Sequence, residues 1–353
     1  MNDDAGGLLD RVAGQVGGMD VVERLATLSG SDFASLMMEV VRRRAARQTP
    51  ADVLRRYERD RFVRPGGIPW RSTRSVEDTL LGCLPREVEM VTLAPLVPLG
   101  THSALASVSQ NKVVTAVRAC EVAADPTNAL ALEAAVRRAS QARATVQLAA
   151  IQRVTRAQRF AGDQPAHFSL LALVTAGRDE GSRRFELAAL TAQLRFAVTG
   201  LSAVGLPAQV ALTPLSPGGE QTADAVAAEL AGQAEVVTDR ERTSGREYYG
   251  HLCFKVNVLA NGGPTEVGDG GFTDWTAKLL ASGKERLLIS GYGLDRLAGV
   301  VDGQRLVVAG LGQRVLRLGS RVSGRVDDGL DEPGVLRGGT AGEGEASADV
   351  AVG

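Results

Sequence analysis

The feature that most restricts the fold of this chain is the run between residues 252 and 297, where strand-like and glycine-rich segments alternate. The first part is apolar at every second position, at Leu252, Phe254, Val256 and Val258. This period of two is typical of a half-buried antiparallel strand. Near the end of the run, a short apolar strand at 287–289 turns on glycines into a helix. Free backbone N–H groups and a helix dipole at such a turn favour an anionic ligand.

Three blocks of sequence lie in this part of the chain. Residues 245–249 are Gly-Arg-Glu-Tyr-Tyr, residues 268–274 are Gly-Asp-Gly-Gly-Phe-Thr-Asp, and residues 291–297 are Gly-Tyr-Gly-Leu-Asp-Arg-Leu. In order and spacing they resemble three blocks of the class II aminoacyl-tRNA synthetases, within the histidyl-tRNA synthetase branch. The resemblance implies an α+β fold with a mainly antiparallel sheet flanked by helices, and it places the motif 3 arginine of the family on Arg296.

A further resemblance in spacing lies upstream. Motif 2 of the family consists of two antiparallel strands, with Phe-Arg-x-Glu on the first and a phenylalanine on the second. When Arg156 is placed on the motif arginine, Gln158 falls on the glutamate, Arg159 on the following arginine and Phe168 on the phenylalanine, without a gap. The resemblance implies that Arg156 holds the α-phosphate of ATP and the substrate carboxylate, and that Gln158 contacts the adenine amino group. Arg296 would pack on the adenine or reach the terminal phosphate.

The family's functional positions transfer to this sequence as a defined set. Arg156 and Arg296 are the expected catalytic residues. The expected ATP-binding residues are Arg156, Gln158, Arg159, Phe168, Gly293 and Arg296. The expected substrate-binding residues are Thr127, Tyr248, Tyr249, Gly270, Gly271 and Asp274. The implied cofactors are ATP and Mg²⁺, without a protein metal site, because the three histidines and three cysteines show no paired metal spacing. Surface ion pairing remains the alternative role for the arginines.

Several positions depart from the family pattern. Ser244 stands where the family has an arginine that assists adenylation, and Thr127 replaces the glutamate that receives the substrate amino group. The family's polar histidine-binding positions hold Leu170 and Val174. A site for an ammonium and an imidazole would not present these side chains, which argues against histidine as the substrate. Fewer than sixty residues follow Arg296, so we also expect no anticodon-binding domain.

Two functional hypotheses follow from the matches and the departures. In the first, the chain is a freestanding class II core that binds ATP and adenylates a carboxylic acid or an amino acid other than histidine. In the second, it is a non-catalytic paralogue that acts as a regulatory or binding subunit, like the synthetase-like regulatory subunit of ATP phosphoribosyltransferase. Retention of Arg156 and Arg296 favours the first hypothesis, and loss of the arginine at Ser244 favours the second.

The resemblance and the composition divide the chain into three parts. We expect an N-terminal segment at 1–30, a class II synthetase-like core at 31–322, and a disordered tail at 323–353 that is rich in glycine and acidic residues. The segment from Val88 to Leu96 occupies the place of motif 1, which builds the dimer interface in the family. The apolar run around Leu93 to Val97 would otherwise leave an exposed patch, so we expect a homodimer.

The charge and hydropathy of the chain restrict its possible partners and its cellular location. A net charge of −1 argues against a surface wholly committed to nucleic acid. Nine arginines between residues 42 and 64 remain open to two interpretations, an RNA phosphate surface or a solvated helical face. No apolar run approaches 18 residues, and the start of the sequence lacks a basic and apolar leader, so we expect a cytoplasmic protein without a membrane contact.

Periodicity predicts the remaining elements. Strands are expected at 88–96, 112–121, 168–174, 208–212, 252–259 and 286–290. Helices are expected from residue 31, from residue 49, and at 129–138, 180–201 and 222–230. The valine- and glycine-rich stretch after Gly299 predicts closing strands.

Overall fold

A computed structural model of the chain describes residues 3–141, 143–158, 165–243, 245–260 and 263–303. The helices are α1 (Asp3–Gly14), α2 (Met19–Thr27), α3 (Gly30–Ala45), α4 (Pro50–Arg59), α5 (Trp70–Gly82), α6 (Thr101–Ala106), α7 (Pro126–Ser140), α8 (Arg184–Ala203), α9 (Pro217–Glu229), α10 (Trp275–Leu279) and α11 (294–303). The strands are β1 (Glu89–Met90), β2 (Leu96–Pro98), β3 (Thr115–Ala116), β4 (Cys120–Val122), β5 (Val146–Thr155), β6 (His167–Arg178), β7 (Ala208–Pro214), β8 (Glu235–Thr238), β9 (Leu252–Ala260), β10 (Gly263–Thr273) and β11 (Glu285–Gly293). All described residues belong to one compact unit of the chain.

An eight-stranded sheet organises this unit, in the order β1-β5-β6-β11-β10-β9-β7-β8. Every inner pair from β5 to β7 is antiparallel, and the parallel pairs, β1 with β5 and β7 with β8, lie at the two edges. A small second sheet has the order β2-β4-β3. The predicted α+β fold with a mainly antiparallel sheet flanked by helices is therefore confirmed.

Helices cover both faces of the large sheet because the strands alternate apolar side chains to the two sides. On one face, α8 and α9 bury Leu190, Leu194 and Phe254 in the larger core. On the other face, α7 and α10 bury Leu130 and Trp275 in a second core. None of the helices within the described ranges is long and apolar enough to span a bilayer.

The helix starts follow the capping signals in the sequence. Thr49 and Asp52 form a capping box at the start of α4, where each satisfies a backbone N–H of the other. Asp125 caps α7 through the backbone N–H of Thr127, and a proline occupies the first turn. α4 therefore begins where the sequence predicts, whereas α7 begins three residues before the predicted start at 129, because Asp125 and Pro126 already open its first turn.

The predicted strands at 88–96 and 112–121 are largely wrong. The first contains only β1 and the first residue of β2, because Pro95 lacks an N–H and the chain leaves the sheet edge between them. The second contains a 3₁₀ turn at Gln110–Lys112 and the short β3, and its last two residues belong to β4. Ala119 has a positive φ of 51°, which interrupts extended backbone before β4.

The segment around the third sequence block also differs from the prediction. The backbone does not turn at its glycines, since β11 continues through Gly291 to Gly293 and only then passes into α11. Residues 299–303 are helical rather than part of closing strands. The rest of that predicted region and the predicted tail at 323–353 lie outside the described residues. The three-part division of the chain stays a prediction.

Candidate functional site

A cleft of about 370 Å³ opens on the face of the large sheet that α7 covers. Its floor comes from the start of β6, the middle of β10 and the end of β11, and its walls are formed by residues 67–68, Asp125, Arg156 and the start of α11. The cleft exists because the strands carry small side chains here. Gly291 is paired with Asp269 on β10 and with Ala172 on β6, and a Cβ added to Gly291 would meet no atom within 4 Å. Larger side chains at this position would fill the cleft.

Arg156 reaches the cleft from the end of β5. It follows the last residue of that strand, and its backbone N–H donates to the carbonyl of Ala166 at 2.8 Å. Its Nε donates to the carbonyl of Ala124 at 2.9 Å, and its terminal nitrogen lies 3.4 Å from the carboxylate of Asp125. The guanidinium lies 5.2 Å from the ring centroid of Phe168, within the range of a cation–π contact. About 30% of the side chain remains exposed, so part of the guanidinium is available to a ligand.

Arg296 enters the same cleft from the first turn of α11. Its terminal nitrogen donates to the carbonyl of Glu266 at 2.8 Å, which fixes the guanidinium over the bulge in β10. Within the described residues, Arg296 forms no ion pair. Its charge is therefore uncompensated by a carboxylate and suits an anionic ligand.

Four carboxylates also line the cleft, and each pairs with a cation at 2.9–3.4 Å: Asp125 with Arg156, Glu266 with Lys255, Asp269 with Arg242, and Asp295 with Arg153. Arg296 adds a fifth cation, so this set has a formal charge of +1. A cleft with mixed but slightly positive charge accommodates an anion that carries a divalent cation, and it also accommodates a zwitterion.

The environment of Asp269 shifts the pKa of its carboxyl upward. Burial raises its pKa, and the nearby Glu266 and Asp125 raise it further, whereas Arg242 and Arg156 oppose this shift. About 38% of its side chain is open to the cleft, so the group is accessible from that side. Arg242, which is almost wholly buried, also donates to the carbonyls of Phe254 and Gly245. This network joins the first and second sequence blocks.

Four of the predicted site residues line the cleft: Arg156, Phe168, Gly293 and Arg296. Gln158 does not line it, although its carbonyl accepts a hydrogen bond from Arg61 at 3.0 Å. Arg159 lies outside the described residues, as does Ser244. The functional roles of all these residues remain predictions.

The predicted substrate residues do not line the cleft. Thr127 is buried, and both its N–H and its hydroxyl donate to Asp125 in the cap of α7. Asp274 is exposed and pairs with Lys278 at 3.0 Å. Tyr248 and Tyr249 pack against each other, with ring centroids 4.5 Å apart, in the core beneath α7.

The two glycines of the predicted substrate set serve packing. A Cβ on Gly270 would lie 2.5 Å from the ring of Phe254 in the larger core, and one on Gly271 would lie 2.7 Å from the ring of Tyr249. Burial raises the pKa of the Tyr249 hydroxyl well above its ordinary value, so Tyr249 stays a neutral phenol at physiological pH. These residues support the floor of the sheet beside the cleft.

Four cleft carboxylates were missed by sequence reasoning: Asp125, Glu266, Asp269 and Asp295. Asp125 precedes a predicted helix and has no predicted role, and its pairing with Arg156 is invisible in the sequence. Asp269 had a usable signal, because a carboxylate within a glycine-rich strand has no packing role. Asp295 lay within the quoted third block but received no role.

The arginine-rich segment at 42–64 is partly neutralised by neighbouring acids. Arg42 and Arg43 pair with Glu39, Arg55 pairs with Asp52, and Arg56 pairs with Asp60. Pairs of this kind one turn apart are typical of solvated helices. They favour the interpretation as a solvated helical face over that of a phosphate-binding surface.

Comparisons with known proteins agree with this architecture. No family model and no curated protein matches the sequence. An ATP phosphoribosyltransferase regulatory subunit/histidyl-tRNA synthetase from Bacillus halodurans has a similar structure, with 13% identity, a TM-score of 0.53, and coverage of 72% of this chain and 90% of that one. A histidine–tRNA ligase subunit from Alicyclobacillus acidocaldarius has 14% identity, a TM-score of 0.54, and coverage of 69% and 96%. An apo histidyl-tRNA synthetase from S. aureus has 13% identity, a TM-score of 0.50, and coverage of 66% and 65%. The chain therefore has the class II aminoacyl-tRNA synthetase fold of these proteins, as its sequence blocks predicted.

Proposed function

We propose that this protein binds ATP in the cleft and uses it to adenylate a carboxylic acid, or an amino acid other than histidine. One observation carries the proposal: Arg156 and Arg296 line a single cleft together with the ring of Phe168, although 140 positions separate the two arginines. The cleft volume of about 370 Å³ lies within the range of small-molecule sites. Two arginines that converge from different elements suit a polyphosphate better than ion pairing at a surface.

The chemistry requires stabilisation of negative charge. A carboxylate oxygen of the acid attacks the α-phosphorus of ATP, the bond to the β-phosphate oxygen breaks, and pyrophosphate leaves. Positioned cations supply most of what a protein contributes to such a reaction. Because the Nε of Arg156 is held by Ala124, its outer N–H groups are oriented to donate to the α-phosphate and to the attacking carboxylate. Arg296 then donates to the terminal phosphate or packs on the adenine.

The donor set of the cleft fits Mg²⁺ as it usually binds beside nucleotides. Among the described residues, no group of three or more histidine, cysteine or acidic side chains forms a metal site. Mg²⁺ commonly uses one or two carboxylates, with phosphate oxygens and water completing its shell. Glu266 and Asp269 on β10 are the carboxylates that would supply these oxygens. Bound there, Mg²⁺ would offset charge on the phosphates.

A second candidate function is that of a non-catalytic regulatory or binding subunit. The observation that favours it is that Arg156 is already engaged by Ala124 and Asp125 within the chain. Thr127 is likewise committed to the cap of α7 and does not face the cleft. A binding subunit would keep these internal contacts, whereas an adenylating enzyme must redirect part of Arg156 to its substrate.

Calorimetry with ATP and Mg²⁺ tests the proposal. Arg156→Ala and Arg296→Ala each remove a charge-assisted contact, so we expect each to weaken ATP binding by roughly ten- to a hundredfold. Arg195→Ala is the matched control, since Arg195 is a half-exposed arginine that pairs with Glu229 on other elements. Equal affinity in all four proteins would contradict an ATP site in this cleft.

Pyrophosphate exchange separates the two candidate functions once ATP binding is established. An adenylating enzyme incorporates labelled pyrophosphate into ATP only when the correct acid is present. We expect exchange with at least one acid from a panel of amino acids and small carboxylic acids, and none with histidine. Tight ATP binding without exchange for any acid would favour the regulatory function.

We also propose that the protein is a homodimer. The structure modifies the argument from the sequence, because Val97 is buried within the protomer, whereas Met90, Leu96 and Leu99 are exposed. Met90 lies on the edge strand β1, Leu96 lies in β2 and Leu99 follows β2, and a second copy of the chain would cover these exposed apolar side chains. Light scattering measures the mass of the particle in solution, and a mass of 37.0 kDa, that of a single chain, would contradict the homodimer.

A further inference from the structure

A buried histidine and glutamate lie directly behind Arg156. His102 on α6 and Glu121 on β4 are both almost fully buried, at 1% and 0% exposure. Glu121 accepts hydrogen bonds from the backbone N–H groups of Gly100 and His102 and from the side chain of Gln110, at 2.5–3.1 Å. This buried carboxylate therefore fixes the start of α6 and with it the position of the imidazole.

The imidazole in turn fixes Ala124. The Nε2 of His102 accepts a hydrogen bond from the backbone N–H of Ala124 at 2.6 Å. Since Nε2 accepts, the proton of the neutral ring is on Nδ1, which lies 3.3 Å from Oε1 of Glu121 in poor alignment for a hydrogen bond. The carbonyl of Ala124 accepts from Nε of Arg156, and the next residue, Asp125, pairs with the same guanidinium.

We propose that His102 is a positioning residue for Arg156: by holding the N–H of Ala124, it aims the Ala124 carbonyl and the Asp125 carboxylate at the guanidinium that faces the cleft. The inference rests on the proposed function only in so far as Arg156 binds the nucleotide. The positioning itself is a property of the protein without ligand. Outer contacts of this kind orient the groups that touch a ligand.

The hydrogen-bond pattern makes the arrangement depend on the charge of His102. Burial lowers the pKa of His102, and the charge of Arg156 lowers it too, whereas Glu121 and Asp125 act in the opposite direction. The ring is therefore neutral at pH 7 and can accept at Nε2. In acid, protonated Nε2 would meet the N–H of Ala124 donor to donor, and the contact would break.

Three variants separate positioning from stability. His102→Leu removes the acceptor, and His102→Gln keeps an acceptor oxygen near the place of Nε2. His251→Leu is the control, because His251 is a half-buried histidine away from the cleft with two hydrogen-bond partners, Ser216 and Thr222. We expect His102→Leu to weaken MgATP binding by about five- to tenfold, and the other two variants to stay within about twofold of wild type.

A ligand-free measurement keeps the test independent of the proposed function. The ¹⁵N-labelled Nε–H signal of Arg156 reports its hydrogen bond to Ala124, and Arg156→Lys identifies that signal. We expect it to shift and exchange faster in His102→Leu but not in His102→Gln. In wild type it should change as the pH falls below 6.5, with no such change in His102→Gln. If His102→Leu does not fold, this titration decides alone.

Two results would overturn the inference. One is an unchanged Arg156 signal in folded His102→Leu, and the other is the same acid titration in wild type and His102→Gln. Failure of wild-type protein to bind MgATP would contradict the proposed function while leaving the Arg156 signal to decide the positioning role.

Discussion

Filling the cleft at Gly291 is a direct test of where the ligand binds. Gly291→Val adds a side chain on the face of β11 that carries the cleft, because Gly291 is paired with Asp269 and directly paired residues point to the same face. Its three carbon groups, each similar in size to a water molecule of about 30 Å³, occupy roughly 90 Å³. This is about a quarter of the 370 Å³ cleft.

Gly291→Val should weaken MgATP binding without lowering the stability of the fold. A ligand displaced by this side chain loses at least one arginine contact, so we expect MgATP affinity to fall about tenfold or more in calorimetry. The added Cβ meets no atom within 4 Å, and valine favours a strand where glycine does not. The melting temperature should therefore stay equal or rise, with a gain in stability of up to about 1 kcal/mol.

Gly283→Val is the matched control. A Cβ there also meets no atom within 4 Å, but Gly283 lies in the turn before β11 and does not line the cleft. We expect wild-type affinity in this variant. Unchanged MgATP affinity in Gly291→Val would refute the assignment of the cleft as the nucleotide site, and a clear loss of melting temperature would refute the reasoning that the position is open.

Three further predictions concern stability. Arg138→Met breaks a bidentate ion pair with Glu285, whose two hydrogen bonds are both 2.9 Å long and buried. The free energy of unfolding, measured in urea, should fall by about 3–5 kcal/mol, because the carboxylate of Glu285 is left buried without a partner. The double variant Arg138→Met/Glu285→Gln should recover part of this loss. Gly271→Ala places a Cβ 2.7 Å from the ring of Tyr249 and should destabilise the fold by about 1–3 kcal/mol in the same assay, and a neutral effect would show that this part of the core can relax. Burial lowers the pKa of His251 below its ordinary value of 6.5, so the unfolded chain binds more protons than the folded chain between pH 6.5 and the lowered pKa of the folded protein. The stability contributed by neutral His251 should therefore be fully present above pH 6.5 and decrease as the pH falls below it. The free energy of unfolding of His251→Leu should depend less steeply on pH in this range.

Sequence periodicity located the elements whose pattern is strong. The alternation from Leu252 to Val258 predicted a strand at 252–259, and β9 spans Leu252–Ala260. The helix expected from residue 49 begins as α4 at Pro50, whereas α7 begins at Pro126, three residues before the predicted 129. Weak patterns failed where backbone geometry decides, as at Ala119, whose positive φ interrupts the expected strand at 112–121.

The glycine-rich blocks show why site residues were harder to predict than the fold. Gly270, Gly271 and Gly293 were the predicted site glycines, whereas Gly291, in the same block as Gly293, had no predicted role. In the structure, Gly270 accommodates Phe254 and Gly271 accommodates Tyr249, whereas Gly291 opens the cleft. The difference depends on which strand lies next to each glycine, and register across a sheet is not encoded in the spacing of one strand.

The sequence by itself determined the class II fold, through the order of its blocks, and the two arginines that share the cleft, through the spacing that placed Arg156 and Arg296 on family motifs. Only the tertiary structure decided what surrounds them. Asp125 pairs with Arg156, and His102 holds Ala124 behind it, across 31 and 22 positions of chain respectively. The physical reason is that local propensity and periodicity act over a few residues, whereas a hydrogen bond between distant segments exists only once packing of α6, α7 and β5 has brought its donor and acceptor together.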